Sequence, residues 1–388
     1  MRSYRNNDML WNWILCLIIF ASLLITIPLL LSDSDDTLLE QLKPSFNDYI
    51  KKFNKSYQTP EEYDTRFQHF VASVRQIDEL NAASQGSDET RAKYGLTKLS
   101  DMSRTEFQEV HLSDERLHKH PKMYGKSWKT YKQSMDSLQH DTSHVIEDQQ
   151  RHQQHSNEQQ NNVYSRKKRA LLPLQVDWRT KGVIGPVRSQ GLCGACWAFS
   201  TVGTMEAMAA IKNGVLETLS VQEAIDCAGL GNMGCSGGDI CLLLEWLYTT
   251  QTPVQKDKEY PLLLTSGVCR TKKNNTGVYV RTFTCDDFVG GEDSILQTLA
   301  SHGPVSVAVN ALTWQNYLGG VIQFHCSGAP ADLNHAVELV GYDLTAEVPY
   351  YIAKNSWGKE FGLQGYIKLA VGNNVCGLAN EVATVDVK

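Results

Sequence analysis

The chain lacks any excess of positive charge: 37 Lys and Arg stand against 43 Asp and Glu, for a net charge of −6. The deficit is uneven, because residues 170–388 hold 14 Lys and Arg against 20 Asp and Glu, whereas the preceding residues hold 23 of each sign. An acidic body of this kind argues against nucleic acid as a partner and against basic-patch attachment to anionic lipid. Histidine is scarce in the later part, where only His302, His325 and His335 follow residue 155. No second closely spaced Cys or His pair follows Cys193 and Cys196, which argues against a four-ligand zinc site. No alternating strand and helix pattern surrounds them, which argues against a redox dithiol. Neither a metal nor a cofactor is implied.

One long apolar run is present, at residues 13–31, broken only by Ser22, Thr26 and Pro28. Its length is near the roughly 20 residues that span a bilayer and exceeds the about 7 to 15 of a signal-peptide core. Arg2 and Arg5 ahead of it keep the short N-terminus cytoplasmic. Residues 1–34 are therefore read as a signal anchor or a cleaved signal peptide. Either one sends the rest of the chain into an oxidising lumen, the setting in which ten cysteines make sense, with Cys16 belonging to the apolar run.

From 42 to 81 the spacing turns helical, with Glu62, Arg66, Phe70, Ser73, Ile77 and Asn81 recurring at steps of three and four. A polar tract rich in Gln, Asn, Ser and His follows from about 112 to 165 and reads as an exposed linker. Counting from His111, it carries seven histidines that charge between neutral and acidic pH. Either the tract is merely solvated, or its charging loosens the segment before it. The tract ends in Arg166-Lys167-Lys168-Arg169, a basic run suited to proteolysis near Arg169. Beyond it, helices are expected over 196–213, 221–227 and 239–248, and strands over 305–309, 335–342, 350–355, 365–370 and 382–387.

The chemistry centres on Gln190-Gly191-Leu192-Cys193-Gly194-Ala195-Cys196-Trp197. Cys196 opens the helical run, and a helix N-terminus favours negative charge, so its thiol should ionise more easily than usual. A short disulfide between the two cysteines, a redox pair and half a zinc site are the competing readings of a catalytic nucleophile. A nucleophilic sulfur needs a base. His302 sits in a turn before Pro304 and His325 lies beside Cys326, but His335 opens an alternating strand that would hold its ring rigidly. Asn355 offers an amide to orient that ring, and Trp357 an indole to shield the contact. Cys196, His335 and Asn355 then fill the roles of nucleophile, base and orienter.

These motifs resemble the papain-like cysteine proteases of the cathepsin group, whose signature is C-G-A-C-W with His and Asn far downstream. The resemblance runs from about Leu42 to the C-terminus, and residues 314–323 and 334–337 point to a narrower branch of the group. It implies an α+β, two-lobed papain-like fold, with a helical left lobe at 170–288 and a β-barrel-like right lobe at 289–388. A helical inhibitory propeptide at 35–111 and a linker at 112–169 precede it. Glu62, Arg66, Phe70, Ile77 and Asn81 resemble the family's ERFNIN motif, with Ser73 substituted, and Gly95, Thr97, Leu99 and Asp101 a second propeptide motif. The implied activity is endopeptidase cleavage through a thioester acyl-enzyme. The precursor is inactive until its propeptide is removed, in the lysosome or endolysosomal lumen. The implied partners are peptide or protein substrates, the propeptide itself and cystatin-type inhibitors.

The same resemblance assigns finer roles. Gln190 and the Cys196 backbone N–H become oxyanion donors. Six cysteines pair as Cys193 with Cys235, Cys227 with Cys269 and Cys326 with Cys376, leaving Cys241 and Cys285 as buried thiols or an additional bridge. Gly237 and Gly238 let a substrate backbone approach closely. Ile240, Ala308, Leu333 and Ala336 line the pocket for the second residue before the scissile bond. Glu381 lies at its floor, where it either accepts Arg or turns to solvent. No His lies between Cys235 and His302, so a two-histidine occluding loop is absent and endopeptidase action is favoured. Asn54 and Asn274 are glycosylation acceptors if exposed. Two alternatives remain: a thiol-disulfide oxidoreductase using Cys193 and Cys196, and a binding protein that keeps an inactive protease fold.

Overall fold

The computed structural model describes residues 38–87, 90–112, 172–271 and 276–388. The apolar run at 13–31, the tract beyond Leu112, Arg169 and Asn274 lie outside the described residues. The described chain divides into two compact units: one runs to Arg75 and includes Ser100–Met102, and the other comprises Gln76–Leu99 and Ser103–Lys388.

In the first unit, the helical spacing read from 42 to 81 is interrupted. Residues 38–53 form one helix and Pro60 opens the next, Pro60–Ala83, with Asn54 exposed in a left-handed turn between them (φ 51°). Proline is well placed at a helix start, where its missing N–H costs nothing. Phe46 is the centre of an aromatic cluster, its ring 5.1 Å from that of Phe70 and 5.3 Å from that of Phe67. Asp101 is buried and accepts from Tyr49 (2.9 Å), Tyr57 (2.9 Å) and Lys55 (2.7 Å), while its carbonyl accepts from Arg66 (3.1 Å). A buried carboxylate is tolerable only when so compensated.

In the second unit the strands are β1 (Lys93–Tyr94), β2 (Gln175–Asp177), β3 (Val280–Asp286), β4 (Val305–Val309), β5 (Tyr317–Gly319), β6 (Val321–Ile322), β7 (His335–Asp343), β8 (Tyr350–Lys354), β9 (Tyr366–Ala370) and β10 (Val382–Val387). The main sheet runs β3-β10-β4-β7-β8-β9-β6, with β2 added on β7, and β1 pairs with β5 separately. This path is open, and among the described strands no closed barrel is found. Its β3 edge is held to the helical layer instead, by a disulfide between Cys285 and Cys241 of helix Ile240–Thr250.

Strand β3 also lies in the stretch read as helical, and β3, β5, β6, β2 and helix Asp293–Ser301 went unforeseen. Helices Cys196–Asn213 and Val221–Cys227 fall where the spacing places them. The first stops at Gly214, left-handed at φ 73°, a conformation that suits glycine at a helix end. The second is capped by Ser220, which accepts from the Glu223 amide at 2.9 Å.

Two apolar cores result. One gathers Trp197, Met205, Leu243 and Leu247 around helix Cys196–Asn213, and the other gathers Val305, Leu339, Tyr351 and Leu369 under the sheet. Strands β7 and β10 serve both, since alternate residues face opposite ways. Val337 faces the second core and Ala336 the first; Val382 faces the second, and Ala383, Val385 and Val387 the first.

The four disulfides are Cys193–Cys235, Cys227–Cys269, Cys326–Cys376 and the additional Cys241–Cys285 bridge. The last spans 44 residues. Loop-closure entropy for a span of that size sets a ceiling of about 4 kcal/mol on its contribution. Cys241→Ala with Cys285→Ala should therefore lower stability by roughly 2–4 kcal/mol, read as a fall in the guanidinium midpoint, relative to a chain with all four bridges intact.

Candidate active site

Helix Cys196–Asn213 begins at Ala195 without a side-chain cap, so the amides of its first turn are not claimed by a capping oxygen. Cys196 is the buried cysteine outside the four disulfides among the described residues. Cys193, three residues earlier, is bonded to Cys235, which removes the dithiol that an oxidoreductase would need. That alternative is corrected by the pairing itself.

The candidate base comes from the opposite layer. His335 is the first residue of β7 and completely buried. Its Nε2 lies 2.7 Å from Asn355 Oδ1, and its Nδ1 makes no hydrogen bond. With Nε2–H donating to the amide oxygen, Nδ1 is the nitrogen left to take a proton. The ring stands in an aromatic box. Trp357 overlies it at 4.7 Å between centroids, and Trp314 meets it edge-on at 6.0 Å. Trp357 was legible as a shield, but Trp314 was not. Burial pushes His335 down to about 4, against the Asn355 hydrogen bond, which favours its charged form, and with nearby His111 adding to the fall.

Gln190 is set by residues that the sequence reading did not single out. Ser356 donates to Gln190 Oε1 at 2.6 Å, and the Gln190 amide donates to the Ser356 carbonyl at 2.8 Å. The side-chain carbonyl is thereby fixed and Nε2 is presented as a donor, here to the carbonyls of Cys193 (3.0 Å) and His111 (3.3 Å). Behind the site an ion network links helix Cys196–Asn213 to β7 and β8. Arg188 pairs with Glu206 at 2.9 Å and Lys354 with Glu338 at 3.1 Å, and all four are largely or wholly withdrawn from water.

Residues 90–99 and 104–111 lie against this arrangement. Strand β1 pairs with β5, and Thr97 donates to the Gln315 carbonyl at 2.8 Å while Gln315 returns a bond to the Leu99 carbonyl at 2.7 Å. Gly320 sits at φ 75°, and a Cβ there would lie 1.9 Å from the Arg91 carbonyl oxygen, so only glycine permits this approach. Asn81 clamps Tyr94 through both its backbone N–H and its carbonyl, at 2.9 and 2.8 Å. Helix Arg104–His111 then brings Phe107 and His111 onto Trp357, with ring centroids at 5.3 and 5.8 Å. His111 is thus buried at a helix end, not the first residue of an exposed tract.

Ile240, Ala308, Leu333 and Ala336 are all buried. Ala308 and Ala336 are paired across β4 and β7, and the Ala308 amide donates to the Glu381 carbonyl at 3.1 Å. Glu381 does not turn to solvent: burial, reinforced by the neighbouring Asp239 carboxylate, pushes its carboxyl well above the usual range. Those two side chains lie within 4.8 Å of the Cys241 sulfur, but that sulfur is committed to a disulfide, so the trio offers no third metal donor. Gly238 has a packing reason to be glycine beyond substrate approach, since a Cβ would lie 2.5 Å from the Trp197 ring.

Residues 172–385 match the family described as papain family cysteine protease, and residues 46–107 match the cathepsin propeptide inhibitor domain. Cathepsin O of Mus musculus is 46% identical over 215 residues, covering 55% of this chain and 68% of that protein. Cysteine proteinase 15A of Pisum sativum is 32% identical, covering 91% of this chain and 89% of that one. The solved structure of the recombinant stem bromelain precursor superposes with a TM-score of 0.68 at 26% identity, covering 89% of this chain and 99% of that one. The branch indicated by residues 314–323 and 334–337 is that of cathepsin O.

Because Ser356 holds the Gln190 carbonyl, Ser356→Ala should leave the amide loosely aimed. A fall in kcat of about tenfold with KM little changed is expected, against the 10²–10³ typical of removing an oxyanion donor outright. Steady-state hydrolysis of a peptide substrate by the mature form measures it.

Proposed function

Because the chain belongs to the papain family of cysteine proteases, we propose that Cys196, His335, Asn355 and Gln190 are the residues with which it cleaves peptide bonds. It is a zymogen cysteine endopeptidase whose propeptide inhibitor domain acts within the same chain. In the proposed sequence the Cys196 thiol passes its proton to His335 Nδ1 and the sulfur attacks the substrate carbonyl carbon. The oxyanion is held by Gln190 Nε2 and the Cys196 N–H. His335 gives the proton to the departing amine, leaving a thioester. Water then gives its proton to the same nitrogen and attacks the thioester carbonyl, and the acid product leaves as the thiol is regenerated. The observation that carries this reading is the 2.7 Å contact of His335 Nε2 with Asn355, which leaves Nδ1 as the proton acceptor. An inactive fold would not be expected to keep this arrangement.

The finer readings are proposals of the same kind. Lobes at 170–288 and 289–388 would meet at the cleft. Cleavage near Arg169 would release a mature form beginning near Ala170, and four disulfides support passage through the secretory pathway to a lysosomal or endolysosomal lumen. Residues 13–31 would anchor the precursor in the membrane if retained. Exposed Asn54 would carry a glycan, as would Asn274, and cystatin-type proteins would occupy the cleft. Ile240, Ala308, Leu333 and Ala336 would form an apolar pocket in which Glu381 also receives Arg. That carboxyl must give up its proton to pair with a guanidinium, so preference for Arg rises as pH rises.

Cys196→Ser and His335→Ala should each lower kcat/KM by roughly four orders of magnitude or more, as losses at a nucleophile or its base do. Retention of activity in His335→Ala would sink the proposed roles. Glu381→Ala should cost about ten- to a hundredfold on Arg-Arg substrates, the worth of one charge-assisted hydrogen bond, and little on Phe-Arg substrates.

A further inference from the structure

The His111 ring is 7% exposed, lies between Phe107 at 5.6 Å and Trp357 at 5.8 Å, and buries an Nδ1 that has no hydrogen bond. Its own carbonyl accepts from Gln190 Nε2, the donor assigned above to the oxyanion. One residue therefore ties a titratable side chain to the stopper of the oxyanion site. We propose that His111 is a proton-operated latch: neutral, it keeps its carbonyl on Gln190, and protonated, it draws the end of the propeptide out of the cleft. This rests on the reading of Gln190 and Cys196 as catalytic groups.

The physical reason is the absence of compensation. An imidazolium wedged between a phenyl ring and an indole has lost its water without gaining an acceptor at Nδ1. The ionisable groups acting on it, among the described residues, are Glu106 on its own helix, which favours the charge, and His335 of β7, which opposes it when protonated. Burial wins, and pushes the ring down to about 4. Once withdrawn into water the same ring titrates near 6.5. Protons therefore bind more tightly to the open form, so the closed form is intact above 6.5 and loses ground as pH falls from there toward 4. Between pH 7 and 5 this single group shifts the balance toward opening by about twentyfold, from the two titration midpoints.

The test is alkylation of Cys196 by iodoacetamide in the full-length chain, mapped by mass spectrometry at early times before the chain is cleaved. Each rate is divided by that of the mature form at the same pH. The ratio should climb between pH 7 and 5 in the unmodified chain. In His111→Phe, which keeps an aromatic ring on Trp357 but cannot charge, the climb should shrink by about twentyfold, and His111→Gln should behave likewise if the Phe variant fails to fold. An unaltered climb would overturn the proposal, and so would a ratio raised equally at every pH, which signifies a merely structural contact. Alkylation reports exposure of the thiol whether or not that thiol does the chemistry. A failure here is therefore separate from a failure of the functional reading, which is tested by loss of hydrolysis in Cys196→Ser.

Discussion

The constraint on which the site depends is the burial of one imidazole. In the proposed mechanism His335 must carry a positive charge beside a sulfur, yet it is sealed by Trp357 and Trp314 and its polar partner is the amide oxygen of Asn355. In that setting the neutral ring is favoured. The proposed catalytic groups can thus be assembled in the precursor without being ionised for work. The covering segment adds to this twice, by placing Phe107 and His111 over Trp357 and by occupying the Gln190 amide with a carbonyl.

The framework around that imidazole explains why groups far apart in the chain meet so reproducibly. Gln190 is stitched to Ser356 through side chain and backbone, and Gly358 donates to the Arg188 carbonyl at 3.1 Å, so the stretch before helix Cys196–Asn213 is fixed to the one that carries Asn355. Beneath them the Arg188–Glu206 pair of the helical layer and the Lys354–Glu338 pair of the strand layer act on each other through the opposite charges of Glu206 and Lys354. Removing one partner of such a buried pair leaves a charge without compensation, which is why the network favours a single alignment of the layers.

Much of this was legible from the chain. Helix Cys196–Asn213 and strands β4 and β10 announce themselves by runs whose apolar spacing has one period, and His335 was selected because only its neighbours alternate as a strand should. Strand β3 was not legible, since Val280-Arg281-Thr282-Phe283-Thr284 buries one face weakly and its identity as a strand depends on β10, a hundred residues later. The Cys241–Cys285 bridge was undecidable for the same reason. Ser356 and His111 were missed as site residues because their roles are contacts: a serine orienting Gln190 and a histidine under an indole carry no local pattern. The protonation of Glu381 depends on Asp239, whose proximity only the fold creates.

The central claim is that cover by the propeptide, and not absence of any group, keeps the imidazole uncharged. It is tested most directly by following the His335 ring by NMR as pH is lowered, in the full-length chain and after propeptide removal, with Cys196→Ala in both to prevent self-cleavage. The account predicts a midpoint near 4 with the propeptide in place and one more than a unit higher without it. Coincident titrations in the two forms would contradict it.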